Sequence, residues 1–247
     1  MEKNTRFVEY YFSQESNAMV CGESTATIFY GQCGEDLQVY CDFFANKREY
    51  YERNTGCYIE IGASDGVKFS NTKFFEDDMN FKGVLIEAEP QLYGILQKTR
   101  PQNKLYNCAV SEEEGGIDFL VTNGPGGPWV SGIEHLLSEE HKKDWHVNSE
   151  KIKVNSKKMS SIMNDSKLEK VDIFSIDVEG AEYEVLRTID WNIPIYVFII
   201  ELGFGDKQTK KDINCRNLLT KKGFHFHKRV GLSEIWYNKK YEEQVIL

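Results

Sequence analysis

Acidic side chains stand at the ends of several short apolar runs in this sequence. Glu60 lies in "CYIEI", Glu87 ends "GVLIE", and Asp177 and Glu201 end "VDIFSID" and "IYVFIIE". Short, continuous apolar runs bounded by turn residues are typical of buried strands. Carboxylates gathered at neighbouring strand ends can accept hydrogen bonds from hydroxyl groups, remove a proton from one, or ligate a hard cation. We therefore expect these acids to contribute to one site.

The chain positions these acids through an alternation of predicted strands and helices. The predicted strands are residues 57–61, 83–89, 104–110, 171–177 and 195–202, followed by an antiparallel pair at 224–230 and 233–238. Helices are predicted at 34–46, 71–79, 90–100, 181–189 and 210–223, whereas most of 111–170 is predicted to be irregular. This alternation predicts an α/β fold with a doubly wound, mostly parallel sheet. Ligands bind such sheets beyond the carboxyl ends of the strands, where the acids lie.

The composition is that of a globular protein with one large domain. The chain has 247 residues and a formal net charge of −9, so the basic face of a nucleic-acid binder is not expected. The apolar run at 195–200 is too short to span a bilayer, and the first residues contain no apolar signal segment. Six scattered cysteines without a C-x-x-C pair suit a reducing cytoplasm. Residues 1–30 are predicted to be an extension packed on a single domain of residues 31–247.

The loop that follows the first acid favours a positively charged cofactor. A dinucleotide site uses G-x-G-x-x-G, whose amides hold a pyrophosphate. This chain has Glu60, Gly62, Asp65 and Gly66 in an E-x-G-x-x-x-G pattern, and its carboxylates would repel a pyrophosphate. S-adenosyl-L-methionine carries an ammonium, a sulfonium and one carboxylate but no phosphate, so it fits the loop better. We therefore predict S-adenosyl-L-methionine as the cofactor.

The residues of this region also indicate how that cofactor would be held. The two glycines of the loop would let the backbone approach it, and one of the two loop acids would face the ammonium. The start of the next helix, with Ser70 and Asn71, could take the carboxylate on free amides. Glu87 stands 21 positions after Gly66, the spacing at which an acid binds a ribose hydroxyl pair in this topology. The loop, the spaced acid and the topology together favour this cofactor over a dinucleotide.

The order of the motifs resembles that of the FkbM-type family of S-adenosylmethionine-dependent O-methyltransferases. The matching stretches fall in the family's order over roughly residues 31–202: "GQCGEDL", "IEIGASDGVKFSNT", "GVLIEAEP", "NCAVSEEEGG", "VSGIEHLLSEEH", "VDIFSIDVEGAEYEVL" and "IIEL". The chain departs from the family at Gly31, where serine is common. The resemblance implies a Rossmann-like class I methyltransferase with a seven-stranded sheet, an antiparallel C-terminal strand and helices on both faces. It also implies cofactor contacts from the matching loops, at Gln32, Asp36, Ala63, Ala88 and Ala109.

Methyl transfer to an alcohol requires removal of the hydroxyl proton. Asp177, Glu179 and Glu201 are the predicted catalytic carboxylates, and Asp177 is also expected beside the methyl group of the cofactor. Asp177 and Glu201 could instead hold Mg²⁺ or Ca²⁺, although we favour a site without an obligatory metal. Acids are common in the first turn of a helix because of its dipole. That explanation suits Glu182 but not Asp177, which follows a buried strand.

The stretch "TNGPGGPWVSG" is predicted to be a mobile loop over the pocket, and three histidines follow it. Among them His141, in "SGIEHLLSEEH", is the preferred candidate for a general base. Each of these histidines, taken singly, also fits an exposed helix surface. Trp129 and Trp145 could stack on a sugar face, or they could serve only in packing.

These observations favour an S-adenosyl-L-methionine-dependent O-methyltransferase. The resemblance implies an acceptor hydroxyl on a sugar, in a glycan or a glycosylated metabolite. Two alternatives remain open: a non-catalytic cofactor-binding or scaffold module, and a methyltransferase for a non-sugar small molecule. The acidic charge and the lack of an N/D-P-P-aromatic motif after the fourth strand argue against nucleic-acid methylation. The sequence is compatible with a homodimer but does not determine the oligomeric state.

Overall fold

The computed structural model describes residues 10–12, 19–21, 27–124, 126–203, 205 and 208–241. The strands in these ranges are β1 (Tyr10–Phe12), β2 (Met19–Cys21), β3 (Thr27–Phe29), β4 (Cys57–Ile61), β5 (Lys82–Glu87), β6 (Lys104–Asn107), β7 (Ala109–Val110), β8 (Gly115–Val121), β9 (Gly132–Ile133), β10 (Glu150–Lys157), β11 (Val171–Ile176), β12 (Ile195–Glu201), β13 (His225–Val230) and β14 (Ser233–Tyr237). The helices are α1 (Glu35–Val39), α2 (Arg48–Arg53), α3 (Lys73–Met79), α4 (Pro90–Thr99), α5 (Glu139–Trp145), α6 (Met159–Ser166), α7 (Glu182–Thr188), α8 (Lys210–Lys221) and α9 (Lys239–Tyr241). A π-helical segment (Tyr40–Phe44) and a 3₁₀ turn (Ala45–Lys47) join α1 to α2. None of the described helices is long and apolar enough to cross a membrane.

The main sheet has seven strands in the order β13-β14-β12-β11-β4-β5-β6. Five strands that are consecutive in this order run parallel, namely β12, β11, β4, β5 and β6. β14 runs antiparallel to both of its neighbours. The chain builds outwards from β4 to β6 and then crosses to β11, on the other side of β4. This order confirms the predicted mostly parallel sheet with its antiparallel C-terminal strand. The reversal between β4 and β11 is the kind of position at which doubly wound sheets bind ligands.

Apolar layers cover both faces of the main sheet. On one face, α6, α7 and α8 contribute buried residues that include Met163, Leu186 and Leu219. On the other face, Phe44 and Phe75 belong to an aromatic layer, and their ring centres are 5.3 Å apart. Every residue of β11 is buried because both of its faces are covered. Such strands appear in a sequence as continuous apolar runs, and the prediction of helices on both faces is confirmed.

The region 111–170 contains a second sheet, so the prediction that it is mostly irregular was wrong. The order of this side sheet is β7-β10-β8-β9, and β8 pairs with β10 in antiparallel register. Alternate residues of β8, namely Ile117, Phe119 and Val121, are buried, as expected for a strand with one covered face. The single strand predicted at 104–110 is in fact two strands: β6 belongs to the main sheet and β7 to the side sheet.

Residues 1–30, predicted to be an extension, are described only at β1, β2, β3 and Tyr30. The three strands form a small antiparallel sheet. Phe29 packs on Phe74, with the ring centres 4.3 Å apart, and Gly31 pairs with Phe69 in the loop after β4. The other parts of the predicted extension lie outside the described residues, and the division between an extension and a domain stays a prediction.

Candidate active site

A cavity of about 440 Å³ opens beyond the carboxyl ends of β4, β5 and β11. A cavity of this size suits a small-molecule ligand. All four predicted catalytic residues line it: Asp177, Glu179, Glu201 and His141. The predicted cofactor-binding residues that line it are Gln32, Gly62, Ala63, Ser70, Glu87, Ala88, Ala109 and Asp177. Its described lining does not include the remaining predicted ones, Asp36, Glu60, Asp65, Gly66 and Asn71.

Gly62 lets the end of β4 lie directly against the end of β11. It adopts φ +77°, and a Cβ atom there would stand 1.9 Å from the carbonyl oxygen of Asp177. The amides of Gly62 and Ala63 donate to the carbonyl of Ile86, at 3.0 and 3.1 Å, which ties the same turn to β5. This turn therefore joins three strand ends and brings Asp177 beside the predicted cofactor loop.

Glu60 is buried, and its carboxylate organises the turn that precedes α3. Oε2 accepts hydrogen bonds from the hydroxyls of Ser70 and Thr72, at 2.8 and 2.7 Å. Oε1 accepts from the amide of Asn71 at 2.7 Å, and the buried guanidinium of Arg100 lies 4.0 Å from Oε2. Burial raises the pKa of Glu60, while Arg100 and these hydrogen bonds oppose the rise. The oxygens of Glu60 are therefore engaged by the turn and by Arg100.

Three other predicted cofactor-binding side chains also bond within the protein. Asp65 accepts from two amides of its own turn, each at 2.8 Å. Nδ2 of Asn71 donates to the hydroxyl of Ser175 at 3.0 Å. Asp36 is buried and accepts from a backbone amide at 2.6 Å, and a Cβ atom at Gly31 would lie 2.8 Å from its other oxygen. This close packing accounts for glycine at position 31.

Glu87 presents a fixed carboxylate to the cavity from the end of β5. Its two oxygens accept from the amides of Ser64 and Glu89, at 2.8 and 2.7 Å. A carboxylate has about four lone-pair sites, so the group can still accept hydrogen bonds from a ligand. Burial raises the pKa of Glu87 to about 7, although the two amides act in the opposite direction.

Asp177 and Glu201 stand at the ends of the neighbouring strands β11 and β12, and their carboxyl groups interact electrostatically. Burial raises the pKa of both groups, and the charge of Asp177 raises that of Glu201 further. Each of the two carboxyl groups therefore holds a proton more readily than an isolated one. The part of Asp177 that solvent can reach faces the cavity.

Glu179 and His141 connect the two walls of the cavity. Glu179 adopts φ +51° in the turn after β11, and Gly180 follows it at φ +94°. Oε2 of Glu179 lies 3.5 Å from Nδ1 of His141 in α5. Burial raises the pKa of Glu179, and the nearby carboxyls of Asp177 and Glu201 raise it further. The contact therefore brings an imidazole to the acids at the strand ends.

The metal alternative concerned Asp177 and Glu201, which both line the cavity. In the part of the chain that the structure describes, no group of three or more His, Cys, Asp or Glu side chains is arranged to hold a metal ion. The expectation of a site without an obligatory metal stays a prediction.

Sequence reasoning missed three cavity-lining residues in the loop after β4, namely Ser64, Lys68 and Phe69. The hydroxyl of Ser64 is buried and has no hydrogen-bond partner among the described residues. The ammonium of Lys68 lies 3.8 Å from the ring centre of Trp129 and 4.8 Å from that of Phe69. Their one signal in the sequence was their place within the "GASDGVKFS" loop, which does not indicate which side chains face a ligand.

Comparison with known proteins identifies a family. A model described as the methyltransferase FkbM domain matches residues 60–226. No curated protein matches the chain.

Three solved structures with similarity to the chain are described as methyltransferases or as bound to S-adenosyl-L-methionine. A methyltransferase FkbM from Methylobacillus flagellatus KT is 13% identical, with a TM-score of 0.42, and the match covers 82% of this chain and 52% of that one. A fibrillarin from Aeropyrum pernix, with natively bound S-adenosyl-L-methionine, is 11% identical, with a TM-score of 0.42 and coverages of 74% and 66%. A magnesium protoporphyrin IX methyltransferase from Synechocystis PCC 6803 is 10% identical, with a TM-score of 0.38 and coverages of 84% and 81%.

The chain spans about half the length of the Methylobacillus structure. The family match covers more than half of the present chain and includes all of the described cavity lining except Gln32 and Leu232. It confirms the resemblance seen in the sequence motifs and the prediction of a methyltransferase. The chain belongs to the methyltransferase FkbM domain family.

Proposed function

We propose that this protein transfers a methyl group from S-adenosyl-L-methionine to a hydroxyl group of a sugar-containing acceptor. The observation that carries the proposal is the presence of two sets of residues in one cavity. Glu87 and the loop after β4 suit a nucleoside that bears an amino acid group. Asp177, Glu201 and His141 suit removal of a hydroxyl proton. Membership of a methyltransferase family supports methyl transfer as the reaction.

Binding of the cofactor is supported by polar groups that have unused hydrogen-bonding capacity. The hydroxyl of Ser64 is buried without a partner among the described residues, and such a group costs about 1–3 kcal/mol until it is satisfied. Glu87 would accept from the ribose hydroxyls, and its carboxylate is already oriented by two amides. Buried apolar residues of the same cavity, among them Leu92 and Val110, suit the face of a nucleobase.

The catalytic proposal assigns proton removal to residues of the chain. When bound, S-adenosyl-L-methionine supplies a methyl group that is activated by a positively charged sulfur. Asp177 is a proposed base, because it lines the cavity at the end of β11 and burial raises its pKa. His141, next to Glu179, is the second proposed base. Much of the remaining rate acceleration would come from binding the acceptor so that its hydroxyl is oriented for attack on the methyl group.

A sugar acceptor is supported by aromatic surface in the cavity wall. Trp129 and Trp145 both line the cavity and are 40% and 38% exposed. Indole rings combine a broad apolar face with one polar group, so they suit the apolar face of a sugar ring. A flat non-sugar molecule would stack on the same rings, and a panel of sugar and non-sugar acceptors distinguishes the two.

Isothermal titration with S-adenosyl-L-methionine and S-adenosylhomocysteine tests the cofactor. We expect micromolar binding by the wild type and at least about tenfold weaker binding by Glu87→Ala, because a hydrogen-bonded charged group contributes about 1.5–3 kcal/mol. Glu140→Ala, in the exposed part of α5, is the matched control and should bind like the wild type. Equal affinities for the wild type and Glu87→Ala would exclude the ribose assignment. No binding by the wild type would overturn the proposed function.

Transfer of labelled methyl groups to a panel of glycosides, their deoxy analogues and non-sugar phenols tests the acceptor. We expect product from glycosides that carry the reactive hydroxyl and none from the matched deoxy compounds. Labelling of phenols alone would replace the sugar with a non-sugar acceptor. Tight cofactor binding without transfer to any compound would favour the scaffold alternative.

A further inference from the structure

The turn predicted to bind the carboxylate of the cofactor has its own donors engaged. The amide of Asn71 and the hydroxyls of Ser70 and Thr72 donate to Glu60. The amides of Thr72 and Lys73 donate to Oγ of Ser70, at 3.3 and 3.1 Å. A carboxylate in the cavity therefore needs a donor from elsewhere.

Most of the ionisable side chains in the cavity wall are acidic and would repel a carboxylate. Four acidic side chains line it: Glu87, Asp177, Glu179 and Glu201. Like charges at short range repel each other strongly where protein limits the access of water. Among the described residues of the lining, Lys68 is the one lysine or arginine.

Neighbouring groups hold Lys68 in position, and no acidic side chain among the described residues forms an ion pair with its ammonium. Its amide donates to Oδ1 of Asp65 at 2.8 Å, and its ammonium lies over the rings of Trp129 and Phe69, at 3.8 and 4.8 Å from their centres. Aromatic faces attract a cation but accept few of its hydrogen bonds, so the ammonium keeps donors for a ligand. Within the described ranges, the ammonium contacts these two rings.

We propose that Lys68 binds the carboxylate of the cofactor's amino acid group. This inference rests on the proposed function, because it takes S-adenosyl-L-methionine as the ligand. The charges of the cavity and of the ligand are then complementary. The lysine meets the one negative group of the cofactor, and the acidic residues are left for its ammonium and sulfonium. Trp129 and Phe69 act as positioning residues for the lysine.

The test compares two ligands that differ only in the carboxylate. Isothermal titration is carried out with S-adenosyl-L-methionine and with decarboxylated S-adenosylmethionine, on the wild type, Lys68→Met, Lys68→Arg and Lys82→Met. Lys82 is exposed at the start of β5, at the opposite end of that strand from the cavity. We expect Lys68→Met to bind S-adenosyl-L-methionine about tenfold more weakly or worse. Its affinity for the decarboxylated ligand should stay within about twofold of the wild type, and Lys68→Arg should recover much of the loss because it keeps the charge.

The outcomes separate this inference from the proposed function. If the wild type binds S-adenosyl-L-methionine and Lys68→Met binds it equally well, the inference is overturned and Lys68 is left to face the acceptor. If Lys68→Met weakens both ligands to the same extent, Lys68 supports the loop rather than the carboxylate, and the inference is again overturned. If the wild type binds neither ligand, it is the proposed function that fails.

Discussion

Nδ1 of His141 lies 3.5 Å from Oε2 of Glu179, although α5 and the turn after β11 belong to different walls of the cavity. Nε2 of His141 and Nε2 of His146 both lie near the carbonyl oxygen of Val130, at 3.1 and 2.9 Å. A carbonyl oxygen only accepts, so each imidazole carries a proton on Nε2. Nδ1 of His141 is therefore the nitrogen that faces Glu179, and the one through which the proposed base would act.

Replacing His141 tests whether this nitrogen takes part in catalysis. We expect His141→Gln to lower kcat by about 100-fold, the usual contribution of a general base, with little change in cofactor affinity. His146→Gln loses a contact to the same carbonyl but removes no cavity-lining residue, so its kcat should change much less. Steady-state kinetics and cofactor titration measure the two effects. Full turnover by His141→Gln would leave Asp177 as the base.

Replacing Gly62 tests the contact between the ends of β4 and β11. Gly62→Ala places a Cβ 1.9 Å from the carbonyl oxygen of Asp177, at φ +77°. We expect a loss of at least about 2 kcal/mol in the free energy of unfolding, since the strained backbone and the clash add. Gly94→Ala in α4 is the control, because a Cβ there meets no atom within 4 Å. It should stabilise the protein by about 0.5–1 kcal/mol. Similar denaturation midpoints for the two variants would contradict the close approach.

Replacing Arg100 tests the buried ion network behind the cofactor loop. Its guanidinium is fully buried, lies 4.0 Å from Glu60 and contacts Glu76. Arg100→Met leaves a buried carboxylate without its cation, so we expect a loss of about 3–5 kcal/mol in stability. Lys98→Met, on the exposed surface of α4, should stay within about 0.5 kcal/mol of the wild type. Urea denaturation measures both, and a small effect at Arg100 would show that Glu60 does not depend on it.

Protonation of Glu182 should make stability depend on pH. Burial raises its pKa to about 7, above the value of about 4.3 for an unfolded glutamate. The folded protein thus holds a proton that the unfolded chain releases, so this stabilisation is complete below about pH 4 and is lost as the pH rises to 7.

We therefore expect the free energy of unfolding to fall between about pH 4 and 7, and Glu182→Gln to reduce that fall by about 1–3 kcal/mol. The glutamine oxygen can still accept from the amide of Gly180, as Glu182 does at 3.0 Å. Glu184→Gln, in the same helix but only partly buried, is the control. Denaturation at several pH values measures the slopes, and equal slopes for wild type and Glu182→Gln would contradict the prediction.

The parallel part of the fold could be predicted because its strands are covered on both faces. β11 is mostly apolar and β12 is continuously apolar up to its last residue, so the acids at their ends, Asp177 and Glu201, stood out as strand-end residues. Convergence of these acids with Glu87 follows from parallel topology, since all the carboxyl ends lie at one edge. The cavity lining contains all three.

The direction in which each loop side chain faces could not be predicted. Glu60 is bound by Arg100, forty positions later in the chain, and no local pattern indicates that pairing. The side sheet was missed for a related reason. β8 begins with two glycines and pairs with β10 across an intervening segment of 28 residues, 122–149, so neither strand had a recognisable partner nearby. Long-range pairing of this kind is a tertiary property.

The two walls of the cavity are supported by sheets that share no strand. Trp129 and His141 lie between β8 and β10, whereas Glu87 and Asp177 lie at the ends of main-sheet strands. Mutations within 126–145 can therefore reshape one wall while the pairing of β4, β5 and β11 stays intact. For directed evolution, the exposed positions of this segment are a natural place for a mutant library, provided that His141 and the buried Ile133 and Leu137 are kept.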